Sequence, residues 1–147
     1  MSSAYSVVNT LHSYWAYFTL IILVIAVLNA LTGYFKNKDF TMAKDLRVSL
    51  FALIFTHIQL LLGLVLYFMT PRFDAWQTGG VMGDSLLRLI LVEHPVTNLI
   101  AVALITIGWS KHKKEVSSKR KFGKIALFYG IGLVLILLRI PYDIWLA

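Results

Sequence analysis

At 147 residues, 59% hydrophobic and 14% charged, with a mean hydropathy of +0.75, the chain is too apolar for a water-soluble domain of its length. With no cysteine it offers no disulfide framework, no thiolate-bound zinc or iron–sulfur cluster, and no Cys-x-x-Cys-His attachment of haem. The net charge of +7 is gathered in two short connections between apolar runs, which speaks for membrane topology and against a nucleic-acid partner.

The N-terminus, Met1-Ser2-Ser3-Ala4-Tyr5, has no basic leader region, and no small-residue cleavage site follows the first apolar run, so the segment is expected to be retained. The first span is expected over about 12–35, long enough for roughly 30 Å of hydrocarbon. Lys36, Lys38, Lys44 and Arg47 make a basic connection to a second span over about 48–70, which stops at Pro71. Residues 72–83, with Trp76, Gly79, Gly80 and Gly83, read as an irregular interfacial loop. A third span follows over about 85–110. A second basic connection carries Lys111, Lys113, Lys114, Lys119, Arg120, Lys121 and Lys124, and the fourth span covers about 125–145.

The remaining cations, Arg72, Arg88 and Arg139, lie near the opposite face. The positive-inside rule then puts both basic loops in the cytoplasm and both termini outside, on the periplasmic side of a bacterial inner membrane. Tyr14, Trp15, Tyr17, Tyr67, Trp76, Tyr142 and Trp145 suit an aromatic belt on that outer side. Four spans with short connections predict an all-α, integral membrane, up-down four-helix bundle forming a single domain over 1–147. Gly33-Tyr34-Phe35-Lys36 echoes Gly108-Trp109-Ser110-Lys111, and Phe55-Thr56-His57-Ile58 echoes Phe128-Tyr129-Gly130-Ile131 at nearly the same offset. Either the chain is two related helical hairpins, with Gly130 a gap opposite His57 where a flat cofactor lies, or Gly130 and Gly132 merely let helices approach.

Ionisable groups within a membrane are costly, so each is a functional candidate. Measured from the span midpoints, His57 and His94 differ in depth by about 7 Å, which tilt and the Pro95 distortion can absorb. Two neutral imidazoles facing one another across a bundle are a usual means of holding haem iron on both axial faces, and His57 with His94 is the expected metal-binding pair. Against this stands a packing role, each ring hydrogen-bonding a neighbour such as Gln59 or Asn98. His12, about 17 Å from the centre by the same rise, is a candidate for a second haem, a quinone carbonyl or a propionate. Arg88 and Arg139 are candidate propionate clamps; the alternative pairs Arg88 with Glu93 or Asp84 and Arg139 with Asp143. Asn98, one turn from His94, is expected to line the cofactor pocket or to join helices. Glu93 needs an arginine or a proton, or serves a proton path to a quinone. His112, among lysines, is expected to be solvated.

With His12, Phe-Thr-His57-Ile-Gln-Leu-Leu-Leu-Gly63, Val-Glu-His94-Pro95 and Arg139-Ile-Pro141 in view, essentially the whole chain resembles small four-helix bacterial membrane proteins catalogued as cytochrome b-like. The resemblance implies b-type haem and a bacterial inner membrane. A more distant similarity is to the half-bundles of haem A synthases, but Leu53 stands four before His57 where those enzymes carry a glutamate. The expected function is intramembrane electron transfer by a bis-histidine haem b, with a quinone or a respiratory complex as partner. Its rivals are a cofactor-free accessory subunit of a membrane complex, whose basic loops hold a protein or anionic lipid, and a quinone- or haem-handling membrane enzyme.

Overall fold

The computed structural model describes residues 3–146. Four long helices carry the chain: α1 (Ser3–Phe35), α2 (Met42–Met69), α3 (Ser85–Lys114) and α4 (Ser118–Leu138), and no strand occurs among the described residues. Each is long and apolar enough to cross a membrane; even α4, the shortest, extends about 31 Å at 1.5 Å per residue. α1 packs beside α2 and α4, and α3 packs beside the same two. Hence α1 and α3 face each other across the diagonal of a four-helix bundle. Both described chain ends and the loop from Thr70 to Asp84 lie at one end, here the terminal end; the two lysine-rich connections lie at the other, the basic end.

The helix limits depart from the hydropathy limits in two places that matter. α1 begins at Ser3, because the polar residues Ser6, Asn9, Thr10 and His12 do not interrupt a helix that already has partners. α4 begins at Ser118, where the Ser117 hydroxyl accepts from the Arg120 N–H as an N-cap, and it stops at Leu138 ahead of Pro141. The last turn of the expected fourth span is instead a separate short helix, α5 (Tyr142–Trp145), whose Trp145 indole donates to Ser13 O at 3.1 Å.

Small residues let the bundle close. Leu23, Ala26 and Ala30 of α1, Ala52 of α2, Ala101 and Ile105 of α3, and Phe122, Ile125 and Tyr129 of α4 form one buried cluster. A Cβ on Gly132 would lie 2.8 Å from Ile105 Cγ1 and 3.1 Å from Ala101 O, so the α3–α4 contact depends on that missing side chain. The outward faces carry Phe18, Ile21, Leu61, Val65, Leu127 and Val134, all exposed, as a surface that meets lipid does.

The basic end is tied by buried polar contacts. Asp45 accepts from Asn29 Nδ2 at 2.9 Å and from the Thr41 N–H at 2.8 Å, while the Tyr129 hydroxyl donates to Ser49 O at 2.8 Å. His112, expected to be solvated, is fully buried instead. Its ring lies between Phe40 and Trp109, with Nδ1–H donating to Trp109 O at 2.6 Å, while Lys113 lies over Trp109 and Lys121 over Phe40, so the lysines cover the aromatic pocket that holds the imidazole.

At the terminal end α3 departs from regular geometry. Pro95 has no N–H for the carbonyl four residues earlier, and the preceding turn, Leu89–Glu93, widens to a π-helical one. The carbonyl so freed, Leu91 O, accepts from the Tyr67 hydroxyl of α2 at 2.9 Å, and that hydroxyl accepts from Trp76 Nε1 at 3.0 Å. Tyr67→Phe strips Leu91 O of this donor and is expected to cost about 1 kcal/mol, read as a lower midpoint in mixed-micelle unfolding by dodecyl sulfate. An unchanged midpoint would show that the hydroxyl is dispensable to the distorted turn.

Candidate functional site

His12 of α1 and His94 of α3 meet across the bundle diagonal, with ring centroids 6.3 Å apart and ring planes at 82°. α1 begins far earlier than hydropathy suggests, so His12 lies within a continuous helix and not at its start. The π-turn and Pro95 re-aim the start of the regular part of α3, where His94 stands.

Each ring is oriented by backbone. His94 Nδ1 lies 2.8 Å from Arg139 O, a carbonyl that can only accept, so Nδ1 carries the proton and Nε2 keeps its lone pair. The Arg139 carbonyl is available because α4 has ended and lacks a helical donor for it. Asn98 donates its amide to His94 O at 2.6 Å, bracing the same turn. Gln59 of α2 donates Nε2 to His12 O at 2.9 Å, one turn before Gly63. A Cβ on Gly63 would lie 3.1 Å from His12 Cε1, so the glycine is the floor against which the imidazole rests. Two buried atoms here have no partner, His12 Nδ1 and Gln59 Oε1.

The histidine pair lies midway along a cavity of about 270 Å³. On α1 its lining runs from Tyr5 to Leu20, about 22 Å of helix, so it is a slot directed along the bundle axis. Its inner part is walled by Thr19, Thr56 and Val102, without charge. At its terminal end stands Arg72.

Of the residues expected from sequence, His12, His94 and Asn98 line this slot. His57 and His94 are not brought together. His57 Nδ1 donates to Leu53 O at 2.7 Å, and its Nε2 lies 3.2 Å from the hydroxyl of Thr106, a residue about 18 Å along α3 from His94. Depths measured from span midpoints put the two rings within reach, but the helices are staggered so that His57 stands beside Thr106 and not His94. Gly130 faces open space away from the slot; Gly63 is the glycine against a histidine ring. Arg88 and Arg139 do not line the slot either. Both turn to Glu93, Arg88 Nε at 3.0 Å and Arg139 Nε at 3.7 Å, which supplies the partner that carboxylate needed. Arg72, which the sequence places only in the loop near the outer face, does line the slot; its place directly after Pro71, at the terminus of a span, is the sequence signal for this.

The spacing of the two rings is compatible with two imidazoles held by one metal. Two imidazoles bound to one metal from opposite sides have centroids roughly 6.3–6.5 Å apart, from metal–nitrogen bonds of about 2.0–2.1 Å and about 1.15 Å from nitrogen to ring centre. The observed 6.3 Å meets that spacing, and steeply crossed planes satisfy it as well as parallel ones do. The donor chemistry of His94 agrees, since neutral imidazole suits iron and its hydrogen bond from Nδ1 to a carbonyl is the usual outer support of a ligating histidine. Fold and site together define a multi-pass helical membrane protein with a diagonal histidine pair set in a lengthwise slot. Comparison with protein-family models, with curated proteins and with solved structures returns no match.

Proposed function

We propose that this chain is a membrane-embedded b-type cytochrome that carries electrons within a bacterial inner membrane, with His12 and His94 as the axial ligands of one haem b. The observation that carries the reading is the 6.3 Å separation of two crossed imidazoles in the middle of an elongated cavity. The resemblance to small cytochrome b-like membrane proteins points the same way. When bound, the haem supplies one-electron redox chemistry, and a bis-histidine iron has no open position for a substrate. The chain's own residues do the rest. Arg139 O holds His94 in one tautomer, Asn98 braces the backbone turn of His94, and Gly63 seats His12. The lysine-rich end faces the cytoplasm by the positive-inside rule, which puts the slot in the outer half of the bilayer, within reach of a quinone or a respiratory partner there.

The test is a dithionite-minus-oxidised spectrum, with a pyridine haemochrome assay, on detergent-purified protein from haem-replete cells. The expected result is a b-type spectrum at one haem per chain. Protein that is colourless and takes up no added haem would overturn the proposal and leave a cofactor-free accessory subunit.

A further inference from the structure

Arginines stand at the terminal end in two different situations. Arg88 and Arg139 share the carboxylate of Glu93 and lie outside the slot. Arg72 lines the slot, is half-buried, and takes part in no ion pair among the described residues. Its position is set by its own turn. Thr70 caps the short 3-10 segment Pro71–Asp74, accepting from the Arg72 N–H at 3.4 Å, and Pro71 fixes the backbone between them. At the start of α3 the carboxylate of Asp84 is engaged in accepting from the Leu86 and Leu87 N–H groups.

A half-buried guanidinium without a counter-charge is poorly placed unless an anion joins it, and a planar fork favours a carboxylate or phosphate. The opposite part of the slot, at Thr19, Thr56 and Val102, offers no charge at all. The slot is therefore polar in one direction only: cationic at the mouth, neutral within.

We propose that Arg72 is the carboxylate anchor of this site, holding a propionate of the bound haem at the terminal end and so fixing which way round the macrocycle enters. The inference rests on the haem reading and adds the residue that sets orientation, a role sequence alone would give to Arg88 or Arg139. Free of internal carboxylate partners, Arg72 forms its ion pair only when the ligand arrives.

The experiment titrates the haem-free protein in detergent with haem and with haem dimethyl ester, whose carboxylates are blocked, following the Soret band for wild type, Arg72→Gln, Arg72→Lys and Arg88→Gln. In wild type, haem is expected to bind roughly 10- to 100-fold more tightly than the ester, the size of a charge-assisted hydrogen bond. Arg72→Gln removes that preference while binding the ester as wild type does, Arg72→Lys keeps part of it, and Arg88→Gln keeps all of it. Ester binding serves as the check that each variant is folded. A wild type that binds both ligands equally, or an Arg72→Gln that weakens both alike, overturns the anchor and leaves the haem reading standing. A wild type that binds neither overturns the haem reading, and the anchor with it.

Discussion

His12→Ala and His94→Ala are each expected to abolish the low-spin b-type spectrum, whereas His57→Ala retains it. In His12→Ala or His94→Ala one of two crossed imidazoles 6.3 Å apart is gone, and a single axial ligand remains. Loss of an outer-shell partner alone typically weakens metal binding about 10- to 100-fold, so loss of a ligand should exceed about 100-fold. His57 differs because its ring is spent on Leu53 O and the Thr106 hydroxyl, outside the slot. Its removal should cost about 1 kcal/mol of bundle stability at most and leave haem content unchanged. The discriminating measurement is haem stoichiometry per purified chain with the reduced spectrum, across all three variants. If His57→Ala loses haem while His12→Ala keeps it, the diagonal pair is not the ligand pair.

The second large effect is expected at Gly63. Even an alanine Cβ there would stand 3.1 Å from His12 Cε1, tight enough that the ring must yield by a few tenths of an ångström. A leucine adds three more carbons in the same direction, into the slot the ligand needs. Overpacking of this kind costs about 1–3 kcal/mol, so Gly63→Leu should weaken haem binding roughly 5- to 150-fold, with Gly63→Ala near the lower limit. Helical content should stay unchanged, since leucine favours a helix more than glycine does. Circular dichroism with haem titration separates the two quantities. Equal haem affinity in Gly63→Leu and wild type would place the ligand somewhere other than against His12.

These expectations differ from those drawn from the sequence at particular residues, and the differences share a cause. Hydropathy located four spans and two basic connections, because apolar length and clustered charge are local properties that lipid reads directly. Local reading placed His94 and Asn98 correctly as neighbours, one turn apart on a helix. It took Ser6, Asn9 and Thr10 for the edge of the span because only hydropathy was summed, yet these exposed residues continue α1 past His12, whose ring meets that of His94. It also misjudged His112, whose lysine neighbours suggested water while Phe40 and Trp109 enclose the ring.

By itself, then, the sequence determined an all-α membrane chain of four spans, the asymmetry of its two ends, and, by the absence of cysteine, a ligand set without thiolate. Only the tertiary structure decided which histidines meet, which glycine faces them and which arginine is left without a carboxylate. The physical reason is that depth along one helix becomes a distance to another only through their stagger. That stagger is set by contacts between helices: Gly132 against Ile105, Tyr67 on the carbonyl freed by Pro95, and His94 on the carbonyl left open where α4 ends.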